Sequence, residues 1–102
     1  MKAVIICGPT GAGKSSLALN LAEKFEGVII NADSVQIYRE IKILSGRPTS
    51  DDYRKAPHRL YGIMSIFKPC TLGIWRKMAL ETIKECELSG RLPIICGGTG
   101  LY

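Results

Sequence analysis

One segment constrains this sequence more than any other: GPTGAGKS, residues 8–15, directly follows the apolar run AVIIC at residues 3–7. The segment fits the pattern G-x-x-x-x-G-K-[ST], in which glycines let the backbone curl so that successive N–H groups point inward at a phosphate. A helix that begins at Gly13 adds the positive end of its dipole at the same position. We therefore expect a buried strand, a phosphate-binding loop and a helix, which together cradle two linked phosphate groups.

The residues of this loop have separate expected tasks. Lys14 completes the cradle with its positive charge. The hydroxyl of Ser15 is available to Mg²⁺, which keeps several waters and is held by few protein groups. The predicted diphosphate-binding residues are Gly8, Pro9, Thr10, Gly11, Ala12, Gly13, Lys14 and Ser15.

The rest of the chain continues an alternation of strands and helices. Short β-branched runs at residues 3–7, 28–30 and 93–96 predict three buried strands of a parallel sheet. The predicted fold class is α/β: a P-loop NTPase-like parallel sheet with flanking helices, in which ligands gather at the carboxyl ends of the strands. The chain has 102 residues, 46% of them hydrophobic, which is enough for one core. Residues 1–102 are therefore predicted to form a single P-loop α/β domain.

Two apolar stripes at helical spacing predict the main helices. The first helix can be ended by Gly27, and its stripe consists of Leu17, Ala18, Leu21, Ala22 and Phe25. The second runs from a cap at Thr71 to Gly90, and its Trp75 is assigned to the core rather than to a cofactor. Residues 47–55 are polar and are predicted to form a loop with at most short helical turns.

Composition limits the cellular setting and the partners. The net charge of +5 is compatible with a polyanionic partner. The four cysteines form no C-x-x-C pair and are expected to be reduced thiols, and those at the ends of apolar runs, Cys7 and Cys96, to behave as small buried hydrophobes. The apolar run near the start is too short for a signal sequence or a membrane span. The sequence therefore predicts a cytoplasmic protein with no membrane partner.

Polar residues follow the second and third predicted strands. Asp33, Ser34 and Gln36 come shortly after Ile30, and Asp33 is open to three interpretations: a magnesium ligand, a general base or a helix cap. The last predicted strand is followed by GGTG at residues 97–100, where a P-loop phosphotransferase often carries a Walker B aspartate. The missing carboxylate counts against ordinary ATP hydrolysis.

Taken together, four motifs resemble a known family. "GPTGAGKS", "ADSVQIYR", "APHRLYGI" and "GRLPIICGGTGLY", in this order, resemble the N-terminal part of tRNA dimethylallyltransferases. The resemblance implies transfer of a dimethylallyl group from dimethylallyl diphosphate to N6 of the adenosine 3′ of a tRNA anticodon. The phosphate loop would then hold a leaving group rather than a transferred phosphoryl group.

The resemblance also implies roles for individual residues. Asp33 would be the general base, while Lys14, Mg²⁺ and the loop amides would stabilise the departing diphosphate. Thr99 completes the implied catalytic set, and the residues implied to contact the tRNA are Asp33, Ser34, Val35, Gln36 and Thr99. Gln36 could instead face solvent, and Thr99 could only satisfy a buried turn.

Several interpretations stay open beside this one. His58 is assigned to a structural hydrogen bond rather than to acid–base work, and Tyr38 and Tyr61 to packing. Members of the family continue well past GGTGLY, so we expect an incomplete three-layer core with an unpaired sheet edge. The alternatives in function are a small ATP-dependent P-loop phosphotransferase and a non-catalytic chain that binds diphosphates without turnover.

Overall fold

The structure, a computed structural model, is an α/β sheet protein in which residues 3–7, 14–41 and 48–97 are described, Lys14 by its backbone alone. The elements in chain order are β1 (Val4–Cys7), α1 (Lys14–Phe25), β2 (Gly27–Asn31), α2 (Ser50–Lys55), β3 (His58–Arg59), α3 (Leu72–Ser89) and β4 (Leu92–Gly97). The strands pair in parallel in the order β1-β4-β2-β3. The predicted fold class and its three strands are confirmed. The sequence analysis missed β3, because a strand of two residues leaves no periodic signal.

Helices cover both faces of the sheet and make a three-layer core. On one face α1 packs against the sheet through a cluster that includes Ala18, Ala22, Ile29 and Ile94. On the other face α3 packs through a cluster that includes Val28, Ile30, Ala79, Cys86 and, at its margin, Trp75. The assignment of Trp75 to the core is thus supported.

The core is incomplete at β1, as predicted. β1 is the outermost strand of the described sheet, and Ile5 on the face opposite α1 is 69% exposed. Cys7, two residues further along the same face, is also exposed. The expectation that Cys7 is buried is therefore wrong, because the strand lies at a sheet edge that α3 does not cover. The other three cysteines are buried, and all four are free thiols.

The ends of α3 agree with the sequence analysis, whereas two details of α1 do not. Thr71 accepts a hydrogen bond from the Ile74 N–H, and Gly90 ends α3 in the left-handed region at φ 70°. In α1, however, Leu17 and Phe25 are exposed rather than buried. The helix touches the sheet through its alanines, because small side chains allow close approach of the two backbones.

Gly27 does not end α1 as predicted. The left-handed residue after the helix is Glu26, with φ 52°, and Gly27 is the first residue of β2. A Cβ atom on Gly27 would lie 2.6 Å from Ile94 Cδ1 and 3.1 Å from the Ala22 Cα. Glycine is required here because α1 and β4 leave no space for a side chain.

The segment predicted as a loop with short helical turns contains one helix, α2. Thr49 and Asp52 form a reciprocal capping box, in which the Thr49 hydroxyl accepts from the Asp52 N–H at 3.2 Å and the Asp52 carboxylate accepts from the Thr49 N–H at 2.9 Å. The helix has six residues and buries none of them. Among the described helices, none is long and apolar enough to cross a membrane.

The close approach at Gly27 gives a first prediction. We expect Gly27→Ala to lower the free energy of unfolding by about 1–3 kcal/mol, because the new methyl group must displace the buried Ile94 or the α1 backbone. Gly73→Ala is the matched control, because only Thr71 Oγ1 lies near its added Cβ, at 3.9 Å. That control should be neutral or stabilising by up to about 1 kcal/mol, since alanine favours a helix. Urea unfolding of both variants is the measurement, and equal stability would contradict the packing argument.

Candidate functional site

The carboxyl ends of three strands meet at one edge of the sheet. In the strand register Cys7 of β1 lies opposite Gly97 of β4, and Cys96 lies opposite Asn31 of β2. The ends of these three strands therefore lie side by side, as expected of a ligand site in a parallel sheet. We refer to this side of the sheet as the carboxyl edge.

A small cleft, open to solvent, lies at the carboxyl edge. Its polar lining comes from α1, from the segment after β2, and from α2 and β3, and consists of Ser15, Asp33, Gln36, Asp52, His58 and Tyr61. Of the predicted site residues, the structure thus brings together Ser15, Asp33 and Gln36. Ser34 and Val35 belong to the same turn, but they do not line this cleft.

Asp33 is buried, and a turn fixes its carboxylate. Oδ1 accepts hydrogen bonds from the Val35 N–H at 2.8 Å and the Gln36 N–H at 3.4 Å. Asp33 therefore does cap a turn, although no helix follows it. Both of these bonds go to Oδ1, and the same carboxylate lines the cleft. Capping and chemistry are compatible in this one side chain.

Asn31 holds the Asp33 turn in place, a role that the sequence analysis missed. Its Oδ1 accepts from the Asp33 N–H at 2.8 Å, and its Nδ2 donates to the carbonyls of Asp33 and Leu60 at 3.0 Å each. The backbone carbonyl of Asn31 accepts the indole N–H of Trp75 at 2.7 Å. Asn31 is completely buried. An asparagine at the end of an otherwise apolar strand was the available signal, since a buried amide needs partners.

Gln36 faces the cleft rather than solvent. The residue is buried, with 7% of its surface exposed, and it lines the cleft beside Asp33. Its backbone carbonyl accepts the Gly62 N–H at 2.9 Å. The alternative in which Gln36 faces solvent is therefore wrong.

His58 makes the structural hydrogen bond that was predicted and also lines the cleft. Nδ1 lies 2.8 Å from the carbonyl of Ala56, and because a carbonyl can only accept, the Nδ1 carries the hydrogen. In the neutral ring Nε2 is then an acceptor. The ring packs at a tilt between Tyr53 and Tyr61, with centroids 5.0 and 5.8 Å away. Burial lowers the pKa of His58 below its ordinary value, against the opposing effects of the Ala56 carbonyl and the Asp52 charge.

Two further lining residues were not predicted as part of a site. Tyr61 was assigned to packing, and it does pack against the α1-side core, but it also borders the cleft. Burial raises the pKa of its hydroxyl far above the usual range, so Tyr61 is neutral at physiological pH. Asp52 combines its part in the α2 capping box with a place in the cleft wall. Asp52 lies outside the four motifs, and Tyr61 belongs to APHRLYGI, but only the fold brings the two residues to Asp33.

Other predicted site residues lie outside what is described. They are Gly8, Pro9, Thr10, Gly11, Ala12 and Gly13 of the phosphate loop, the side chain of Lys14, and Thr99. Their predicted roles stay predictions. The described elements bracket them, because β1 ends at Cys7 and α1 begins at Lys14, while β4 ends at Gly97.

A magnesium ion would find oxygen donors in this cleft. Ser15 supplies a hydroxyl and Asp33 a carboxylate, both of the hard type that Mg²⁺ prefers. Among the described residues no group of three His, Cys, Asp or Glu side chains is placed to hold a metal alone. This donor set fits an ion that takes most of its ligands from water and a bound diphosphate.

The fold and the cleft define an α/β protein with a phosphate-loop sequence and a carboxylate at the carboxyl edge of its sheet. Two family models match the chain, IPP transferase over residues 36–102 and isopentenyl transferase over residues 1–67. The chain belongs to the IPP transferase family.

Similar proteins agree with this assignment. The chain is 50% identical to a tRNA dimethylallyltransferase of Rhodospirillum rubrum over 99 residues, which cover 97% of this chain and 30% of the relative. It matches the crystal structure of a tRNA isopentenylpyrophosphate transferase from Bacillus halodurans with a TM-score of 0.91 and 36% identity, covering 99% of this chain and 33% of that one. A structure of a eukaryotic dimethylallyltransferase acting on tRNA matches with a TM-score of 0.88 and 29% identity, over 93% of this chain and 24% of that one. The chain thus spans about a third of the length of its bacterial relatives.

The burial of His58 predicts a pH dependence of stability. The folded state holds the pKa of His58 below its ordinary value of 6.5, so the unfolded chain binds more protons as the pH falls through 6.5. We therefore expect the free energy of unfolding to be highest above pH 6.5 and to decrease below it.

Urea unfolding of the wild-type chain and of His58→Gln, on both sides of that pH, tests this expectation. Glutamine does not titrate, so its stability should vary less over the same range. Glu40, whose pKa is lowered from 4.5, titrates well below this window in both proteins and does not interfere. Parallel pH profiles for the two proteins would show that His58 is not the titrating group.

Proposed function

We propose that this chain supplies the donor-binding and base-positioning part of a tRNA dimethylallyltransferase. The donor would be dimethylallyl diphosphate, and the acceptor N6 of the adenosine 3′ of the anticodon. One observation carries the proposal: buried Asp33 and buried Gln36 line the same cleft as Ser15, directly beside the start of α1. The relatives are a tRNA dimethylallyltransferase and a dimethylallyltransferase acting on tRNA, which supports the substrate class.

The geometry of Asp33 suits a general base. The exocyclic amine of adenine is a weak nucleophile because its lone pair is delocalised into the ring, so removal of a proton during attack assists the reaction. In the proposed step the nitrogen forms a bond to the allylic carbon, the carbon–oxygen bond to diphosphate breaks, and Asp33 takes the proton. The turn amides hold the carboxylate through Oδ1, and Oδ2 would take that proton.

Gln36 suits recognition of the base itself. A carboxamide offers one donor and one acceptor side by side, and this pair can meet the edge of adenine. The target base must leave its stack to reach the cleft, at a cost that an unpaired anticodon loop keeps low. Thr99 would contribute to the same contact, as the resemblance implies.

The leaving group is placed on the α1 side of the cleft. The loop at residues 8–15 and the amino end of α1 would hold the diphosphate, with Lys14 and Ser15 as its side-chain contacts. Mg²⁺, bound through Ser15, would supply positive charge against the charge that grows on the departing oxygen. The three buried free thiols are consistent with a reducing compartment, and we place the protein in the cytoplasm.

The two alternatives in function make different predictions for the same cleft. A P-loop phosphotransferase would require a carboxylate near the end of β4, but β4 ends in Cys96 and Gly97 and the sequence continues GTG. A chain that binds diphosphate without turnover would have the same cleft, so binding and turnover must be measured separately.

Calorimetric titration tests the donor site. We expect the chain to bind dimethylallyl diphosphate more tightly than ATP in magnesium buffer, because the proposed donor site accommodates a diphosphate that carries an allylic group. Omission of Mg²⁺ should weaken donor binding, since part of the phosphate charge is then uncompensated. A preference for ATP would favour the phosphotransferase instead.

Turnover tests the base. We suggest a chimera in which this chain replaces the matching N-terminal segment of the Rhodospirillum rubrum relative. Asp33→Asn should lower transfer to an anticodon stem-loop by about 10²- to 10⁴-fold, with donor affinity nearly unchanged, because asparagine can still accept the turn hydrogen bonds but cannot take the proton. Asp52→Asn, which removes the other carboxylate of the cleft wall, is the matched control and should lose far less. A loss of donor affinity with unchanged turnover per bound donor would contradict the assignment of Asp33.

A further inference from the structure

An exposed aromatic residue sits on a tightly bonded turn outside the cleft. Phe67 is 84% exposed, more than any other large hydrophobic residue in the described part of the chain. It belongs to residues 65–68, SIFK, which we call the Phe67 turn. Single exposed hydrophobic residues are common, so exposure alone indicates no function. The surroundings of Phe67 make it unusual.

Hydrogen bonds hold the Phe67 turn at the residues before and after Phe67. The carboxylate of Glu40 accepts from the Ser65 hydroxyl at 2.9 Å and from the Ile66 N–H at 3.1 Å. The Phe67 N–H donates to the Ser65 hydroxyl at 3.2 Å, and the Lys68 N–H donates to the Ser65 carbonyl at 3.0 Å. The backbone that carries Phe67 is therefore held in one conformation before anything binds. Such preorganisation lowers the entropy cost of binding.

The Phe67 turn lies at the carboxyl edge, next to the segment that carries Asp33 and Gln36. The Gly62 N–H bonds to the Gln36 carbonyl at 2.9 Å, and the Arg39 N–H bonds to the Met64 carbonyl at 3.0 Å. Tyr38 and Met64 form a parallel bridge between these segments. A molecule that places one group in the cleft can therefore continue across this bonded pair of segments toward Phe67.

Two cationic residues belong to the Phe67 turn and to the segment bonded beside it. Lys68 follows Phe67 directly, and Arg39, 59% exposed, lies near Glu40, with its Nε 3.9 Å from that carboxylate. An aromatic face beside positive charges matches the chemistry of an unpaired nucleotide, which has a flat base to stack and a phosphate to neutralise. Protein interfaces are enriched in phenylalanine and arginine but depleted of lysine, so Lys68 beside Phe67 is the feature that favours a nucleotide over a protein partner. The net charge of +5 favours a polyanion as well.

We propose that the Phe67 turn is a stacking platform for an unpaired RNA nucleotide close to the target adenosine. Phe67 stacks on the base, and Lys68 and Arg39 contact the adjacent phosphates. The inference rests on the proposed tRNA substrate, and it adds a second point of contact, outside the cleft, that orients the anticodon loop. Phe67 and Lys68 lie outside the four motifs of the sequence analysis, and Arg39 is the last residue of ADSVQIYR.

Binding of a labelled anticodon stem-loop RNA to the 102-residue chain, measured by fluorescence anisotropy, tests the platform. We expect Phe67→Ala to weaken binding about tenfold, while Phe67→Tyr keeps the ring and binds like the wild type. Lys68→Ala should reduce the slope of log affinity against log salt by about 0.7, the value for one phosphate contact on a single strand. Dimethylallyl diphosphate should bind all three variants equally, because the cleft is unchanged.

A similar aromatic and cation on another part of the surface provides the control. Phe25 at the end of α1 is 51% exposed, and Lys24 Nζ lies 5.5 Å from its ring centroid. It precedes β2, at the opposite end of the strand from Asp33, so Phe25→Ala should leave RNA affinity unchanged. An equal loss of RNA affinity in Phe25→Ala and Phe67→Ala would show that any exposed aromatic residue contributes to binding. That result would overturn the inference.

The remaining outcomes separate the inference from the proposed function. If the wild-type chain and Phe67→Ala bind the stem-loop equally, the platform is wrong while the tRNA substrate stands. If the wild-type chain does not bind the stem-loop at any salt concentration, the tRNA substrate fails for this chain and the platform fails with it. Sedimentation of both proteins completes the test: a change in oligomeric mass with unchanged RNA affinity would assign Phe67 to contact with a second copy and overturn the platform.

Discussion

The burial of one amide, that of Asn31, is the constraint on which the site depends. A buried carboxamide without partners is costly, so its three polar contacts fix the geometry around it. Those contacts join the end of β2 to the Asp33 turn and to Leu60, while the backbone carbonyl of Asn31 receives Trp75 from α3. Leu60 adopts a left-handed conformation, φ 67°, which is uncommon for a leucine. Core packing and the position of the carboxylate are therefore linked through the same residue, by its backbone carbonyl and by its side chain.

This arrangement places different requirements on the two faces of the sheet. On the α1 face, small residues bring the helix close to the strands, so that Ser15 at its start reaches the cleft that Asp33 lines. On the α3 face, larger residues fill the space, and the indole N–H of Trp75 donates to the backbone carbonyl of Asn31. A change in packing on either face would therefore alter the separation of the donor and acceptor sides of the cleft.

Much of the fold could be predicted because the signals for its strands and helices lie within short stretches of sequence. Buried parallel strands are continuous β-branched runs, and α3 has both a capping threonine and a left-handed glycine at its ends. Gly27 was misread because its requirement for glycine comes from Ile94, which is distant in sequence. The place of Ser15, Asp33 and Gln36 followed from motifs, whereas His58 and Tyr61 join them through the pairing of β3 with β2, and Asp52 through the position of α2. The roles of Asn31 and the Phe67 turn depend on hydrogen bonds between segments that no periodic pattern reveals.

The strand order also determines when the phosphate-loop region can be anchored during folding. Within the described sheet, β1 pairs only with β4, and these are its first and last strands in chain order. While the protein is being synthesised, β1 must wait for residues 92–97 to leave the ribosome before it gains a neighbour. The entropy of closing so long a loop is lost before the contact forms, and such non-local pairing slows folding. β1 is therefore fixed late, after β2 and α1 already have partners, and a nascent chain interrupted before β4 would leave β1 available to chaperones.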